Sequence, residues 1–169
     1  MVHFRLLPTP SRDDAVTFGY GDMASSDTDS RRADMAPSWA HNESTVSMLS
    51  TAGLALAGDR PFDQDGERRD PWWGDPSFRV IPRDTAEDDV RVYHLHVDTR
   101  HTEQDLNCTL PLTRLRELEL AGEIGRSAPS HFSIMGYLLD PTEMLERSIP
   151  EIILRMRAEQ VDVVLLAPF

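Results

Sequence analysis

His94-Leu-His96-Val-Asp98 is the stretch of this chain whose residue types most readily do chemistry. On an extended strand, side chains at i, i+2 and i+4 leave from one face. Two imidazoles and a carboxylate arranged that way could hold Zn²⁺ or Fe²⁺. The plainer role is a solvated or hydrogen-bonded strand face, packed through Val92, Tyr93, Leu95 and Val97. A divalent metal on His94, His96 and Asp98 is thus one expectation among several.

A second group follows closely. Cys108 stands just before a helix expected from Pro111, and a helix N-terminus lowers a thiol pKa. The commoner fate of a free cysteine is that of a small buried hydrophobe, and that is the expectation here. It is the only cysteine, so no intrachain partner could resolve an oxidised form. Asp105, Asn107 and Arg114 could contact a small substrate or organise the turn and helix start. Arg114 and Glu117 have the i,i+3 spacing of a solvated helix face. His131, at the start of an apolar run, is either an acid/base group or a hydrogen-bonded structural residue. No phosphate loop, dinucleotide fingerprint, Gly-x-Ser-x-Gly elbow or zinc-finger spacing occurs.

These residues need elements to position them. Residues 1–43 are rich in Ser, Asp, Arg and Pro, lack an apolar period and read as a disordered or loosely attached leader. Residues 44–169 read as one domain. Val46–Ser50 predicts a first strand, with Gly53 allowing a tight turn. Residues 57–77 predict a long loop, and loops of that length are functional or disordered. Phe78–Ile81 and Val90–Val97 read as strands. Leu112, Leu115 and Leu118 share a helix face that Gly122 can end. His131–Met135 predicts a strand. Asp140-Pro-Thr-Glu143 has the spacing of a capped helix start, with Glu143 reaching back to the cap. That helix runs toward Gln160, kinked or split at Pro150. Val163–Leu166 is a short β-branched apolar run, the mark of a buried parallel strand. Strand–helix–strand order from Pro111 onward predicts an α/β layered fold with a mostly parallel, Rossmann-like or doubly wound sheet, incomplete at the C-terminus. The last strand is therefore expected to leave apolar surface partly uncovered.

Composition narrows the function. Net charge is −12, and all 17 basic residues are Arg. That argues against nucleic-acid or anionic-membrane partners. The absence of Lys excludes a Schiff-base lysine within these residues. A single cysteine and the absence of a signal-peptide pattern lead to a cytoplasmic expectation. No apolar run reaches the ~18 residues of a membrane span.

Four blocks resemble the selenoprotein B family of glycine/betaine/sarcosine/D-proline reductases. They are Val46-Ser-Met-Leu-Ser-Thr-Ala-Gly53; Pro61-Phe-Asp63 with Asp70-Pro-Trp-Trp-Gly-Asp-Pro-Ser-Phe-Arg-Val-Ile-Pro82; Asp105-Leu-Asn-Cys-Thr-Leu through Gly122-Glu-Ile-Gly125; and His131-Phe-Ser-Ile-Met-Gly-Tyr137. Together they span about residues 45–169. The resemblance implies an α/β reductase subunit that cleaves a C–N bond in a small amine or amino acid. It implies a dithiol electron donor, an electron-donor protein and a pyruvoyl-bearing partner subunit. It places the redox Sec or Cys after the strand Val161–Leu166, in a pattern like (Sec or Cys)-Pro-x-Cys-His. That position falls just after Phe169, so no catalytic residue is expected within residues 1–169. The matching expectation for the gene is an in-frame UGA directly after codon 169. A non-catalytic binding or assembly module on the same scaffold is the alternative reading, and a metal-dependent enzyme centred on His94, His96 and Asp98 is the third.

Overall fold

The computed structural model of the chain describes residues 3–5 and 41–169. Most of the expected leader, residues 6–40, lies outside the described residues. His3–Arg5 forms strand β1, and His41–Glu43 forms a 3-10 turn that leads into the domain.

The centre of the fold is β2 (Thr45–Ser50), buried along nearly its whole length. It hydrogen-bonds in parallel to β8 (Val163–Ala167) on one side. On its other side lie β6 (Arg126–Ser127) and then β7 (Ser130–Ile134), again parallel. The sheet order is β1-β8-β2-β7-β4, with β4 spanning Phe78–Pro82. Both outer pairings, β1 with β8 and β4 with β7, are antiparallel.

The sheet is therefore mixed, a correction to the mostly parallel, doubly wound expectation. Loop geometry explains the polarity of β4. The segment before it crosses the carboxyl ends of the central strands, where Gly74 packs against Tyr137. A chain arriving at that end can enter the sheet only by running back toward the other, so Phe78 pairs with Ile134 and Pro82 with Ser130. Pro82, lacking an N–H, is tolerated on this edge strand.

Side chains alternate between two cores. Val46, Met48, Val163 and Leu165 meet Leu112 and Leu115 of helix α3 (Leu112–Leu120) on one face. Leu49, Phe132, Val164 and Leu166 meet Ile152 and Met156 of helix α4 (Ile149–Ala158) on the other. A π-helical turn, Met144–Ser148, precedes α4. Pro150 sits in the first turn of α4, where its missing N–H breaks the regular ladder. Asp140 caps the start of this region by accepting from the Thr142 N–H (3.0 Å), but Glu143 pairs with Arg147 instead of reaching back.

Both helices end in the same hydrogen-bond motif. Gly122 N–H reaches Glu119 O and Glu123 N–H reaches Leu118 O; after α4, Gln160 and Val161 make the equivalent bonds to Arg157 and Met156. Gly122 adopts φ +71° without penalty, whereas Gln160 adopts φ 57° despite its side chain.

A small antiparallel sheet extends β2 beyond Gly53. It pairs β3 (Leu54–Leu56) with β5 (Val90–Val92). The alternation through Val97 predicted a longer strand. The structure ends it at Val92, and the chain leaves over the sheet's carboxyl edge. The remaining helices are α1 (Gln64–Arg69), inside the long loop, and α2 (Arg100–Gln104).

Candidate functional site

Three parallel strands end side by side. Thr51 N–H donates to Ala167 O (3.2 Å), Gly53 N–H to Ile134 O (3.0 Å), and Phe169 N–H to Thr51 Oγ1 (2.8 Å). Close approach makes this rim possible. Gly53 turns with φ +62°, and a Cβ there would lie 2.9 Å from Met135 Cε. A Cβ on Gly136 would lie 2.8 Å from Thr51 O. Carboxyl ends of parallel strands are where open α/β sheets bind ligands.

The loop of residues 57–77 is folded over this rim and fixed to it. Arg79, buried on β4, donates from Nε to Arg60 O (2.7 Å), from Nη2 to Pro61 O (2.8 Å), and from Nη1 to Ser77 Oγ and Phe78 O. Its guanidinium lies over the Phe62 ring and 3.8 Å from Asp75. Asp75 in turn accepts the N–H groups of Asp63 and Ser77. Asp63 caps α1 by accepting from Gly66 N–H at 2.9 Å. At the far end, Gly74 passes so close to Tyr137 that a Cβ would stand 2.2 Å from its carbonyl oxygen. Tyr137 Oη donates to Pro71 O (2.6 Å).

This loop delivers Glu67 to the rim. Its side chain is 2% exposed, and Oε1 lies 3.1 Å from Nε2 of His96, whose own side chain is 41% exposed. The His96 ring stacks on Tyr137, with centroids 3.9 Å apart, and meets His94 edge-on at 6.1 Å. Burial pushes the Glu67 carboxyl upward; the neighbouring His96 pulls it partly back. His94 is buried, and burial together with His96 lowers its pKa. Its Nδ1 accepts from the His96 backbone N–H (3.3 Å). A buried carboxylate against a half-exposed imidazole, with the ring plane clamped, is an arrangement that can hold and pass a proton.

The sequence candidates fall in three places. His94 and His96 reach the rim, but Asp98 does not join them; it is tied to Arg100 (2.6 Å), which lowers its pKa. The one-face premise for the metal triad fails because the strand stops before His94. Among the described residues no group of three His, Cys, Asp or Glu side chains is placed to hold a metal ion.

Asp105, Asn107 and Arg114 lie on the opposite flank. Asp105 accepts from the Asn107 N–H and Nδ2 groups, which lowers its pKa. Asn107 Oδ1 caps α3 by accepting from Thr113 N–H (3.1 Å), and Arg114 pairs with Glu117. Asn107, Cys108 and Arg114 line an apolar groove of about 590 Å³ over β2 and β8, which ends at Ala167 and Pro168. Cys108 is exposed there, a correction to the buried-hydrophobe expectation. The 3-10 turn Leu106–Cys108 turns Leu106 inward in its place. Leu165 and Leu166 are only partly buried.

His131 is fully buried and away from the rim. Between β6 and β7 the backbone ladder is interrupted, and the imidazole patches it. Nδ1 accepts from Met48 N–H (3.1 Å), so the proton sits on Nε2, 3.1 Å from Ser127 Oγ. Burial pushes its pKa down to about 4.

Glu67 and Tyr137 were missed from sequence. One available signal was Asp63 as a helix cap inside a loop too long to be idle. The other was Gly136-Tyr137 directly after an apolar strand.

No family model and no solved structure matches the chain. Over 122 residues, 72% of the chain, it is 34% identical to D-proline reductase subunit gamma of Acetoanaerobium sticklandii. The chain spans about half the length, 47%, of that curated relative. This identity supports a relationship to the proline/glycine reductase family. No helix among the described residues is long and apolar enough to cross a membrane.

Proposed function

We propose that the chain is a subunit, or part of one, of a reductase that cleaves a C–N bond in a small amine or amino acid. The observation that carries this reading is the 34% identity over 122 residues to a D-proline reductase subunit. The fold is compatible with it. Three parallel strands bring their carboxyl ends to one rim, and Glu67, His96 and Tyr137 stand there.

In this reading the substrate's amine lies at the rim. A selenol or thiol following β8 attacks the carbon, and a dithiol supplies the electrons. Selenols suit the step because the anion is the nucleophile and a selenol is ionised at neutral pH. A pyruvoyl-bearing partner subunit and an electron-donor protein complete the assembly. Met48, Leu115 and Val163 help to line the apolar groove that Cys108 flanks. That surface supports a second role, contact with another subunit.

The test is production of the full gene product with its co-encoded subunits, followed by incubation with D-proline and dithiothreitol. Ring-opened amino acid is expected, in step with disulfide formation. Absence of ring-opened product from D-proline together with absence of amine or ammonia release from glycine, sarcosine and betaine would overturn the reading. Sequencing beyond codon 169 checks the redox position: UGA or a Cys codon followed by Pro-x-Cys-His is expected.

A further inference from the structure

We propose that His96 is the proton-transferring residue of the rim, acting through Nδ1, with Glu67 and Tyr137 as its positioning residues. This deepens the reductase reading and, for its substrate, rests on it.

The geometry separates the two ring nitrogens. Nε2 faces Glu67 Oε1 at 3.1 Å, an ion-pair distance without a well-directed hydrogen bond, and a carboxylate on that side favours the tautomer protonated at Nε2. Nδ1 has no hydrogen-bond partner among the described residues, and 41% of the side chain is open to solvent. A carboxylate behind one nitrogen of an imidazole fixes the tautomer and leaves the lone pair of the other nitrogen pointing outward. Stacking on Tyr137, itself fixed through Pro71 O, stops the ring from rotating. A purely structural pair would have no need of this exposure. That same buried oxygen, Glu67 Oε1, makes no well-directed hydrogen bond, which is a costly arrangement for a contact that only holds a loop.

The chemical class follows from the atom presented. Nδ1 can give a proton to a departing amine nitrogen, or take one from an incoming ammonium. In the reductive cleavage the C–N electron pair leaves with nitrogen, and the proton that nitrogen gains comes through Nδ1. The attacking selenol or thiol is left bonded to carbon. One thiolate of the dithiol takes that selenium or sulfur; the C–Se or C–S electron pair stays on carbon and is protonated to the new C–H. The second thiolate closes the disulfide and frees the selenol or thiol, so the dithiol has supplied two electrons and two protons.

Carbethoxylation of the full chain with diethyl pyrocarbonate, read residue by residue by mass spectrometry, tests the dyad without turnover. His96 is expected to label at least about threefold faster than exposed His101, with buried His94 and His131 silent. Glu67→Gln should slow His96 by about threefold or more and leave His101 unchanged. Equal labelling of His96 and His101 in the wild type, which needs no variant, would overturn the proposal. So would an unchanged His96 rate in folded Glu67→Gln. Millimolar D-proline is expected to protect His96. If His96 is reactive and Glu67-dependent but unprotected, the amine reading fails and the dyad stands. In the active assembly, His96→Ala should lower kcat about 100-fold or more. Glu67→Gln should lower kcat less, with KM held. An unchanged kcat in His96→Ala would also overturn the assignment.

Discussion

At the rim, Arg79 places its guanidinium donors on the carbonyls and the hydroxyl that anchor residues 57–77, and Asp75 lies beside it. Across the same strand ends, the groove beside α3 is apolar and open, and the polar residues at its edge make exposed pairs, Arg114 with Glu117 and Asn107 with Asp105 and Glu87. The rim holds buried charge with defined partners; the groove holds exposed Leu118 and a free thiol. Burying charge is costly unless it is paired, and a pair buried for stability alone is often replaceable by apolar residues. The rim's polarity therefore serves placement of the loop and its Glu67, while the groove's apolarity suits contact with another surface.

The contrast can be broken experimentally. Arg79→Ala strips donors from three carbonyls and leaves Asp75 without its cation, so a loss of about 3–5 kcal/mol in urea unfolding is expected. A loss below about 1 kcal/mol would remove the anchoring role. Acid should act on the floor beneath both regions. The folded-state pKa of His131 lies below its unfolded value near 6.5, so its contribution is whole above that pH. It is lost as the pH falls toward and through about 4, on the order of 3 kcal/mol in all. His131→Gln should flatten this part of the stability–pH curve.

Gly74→Ala drives a methyl group into the Tyr137 carbonyl and should cost about 2 kcal/mol or more. Cβ atoms elsewhere in the loop test the specificity of that effect: Gly58 has open space around it, and Gly58→Ala should be near neutral. Glu67→Gln sharpens the comparison in the other direction. Its carboxyl is pushed up by burial, so the charged form weakens the fold as the pH rises past its folded pKa. The variant should melt no lower than the wild type at neutral pH; a marked drop would make Glu67 a structural residue. Arg114→Ala, at the groove, should change stability by no more than about 0.5 kcal/mol, because its ion pair is solvent-exposed.

Much of the frame could be read from residue pattern alone. Val163–Leu166 gave away β8 by its β-branched apolar run, and Gly53 and Gly122 sit where positive φ is required. Strand polarity could not be read, because alternation is the same in either direction and the deciding contact is between Gly74 and Tyr137, 63 positions apart. His94–Asp98 misled for a related reason. The alternation persists past Val92 although no neighbouring strand is there to pair with it, and periodicity carries no information about partners. Glu67 escaped because an acidic residue in a polar loop gives no hint of burial until His96 is brought against it. Cys108 went the other way: its neighbour Leu106 took the inward position of the turn.

The position of β2 has a further effect during synthesis. Its parallel neighbour β8 is 117 residues downstream, as the Thr45–Asp162 contact shows. At ~5–20 residues per second, a nascent chain waits roughly 6 to 23 seconds before that pairing can form. Until β6 and β7 emerge both edges of the innermost strand are bare, and the β8 edge stays bare to the end of the interval, so the ribosome-bound intermediate is the form most in need of chaperone cover. Slowing or pausing translation near the end of the message would lengthen that vulnerability and lower soluble yield.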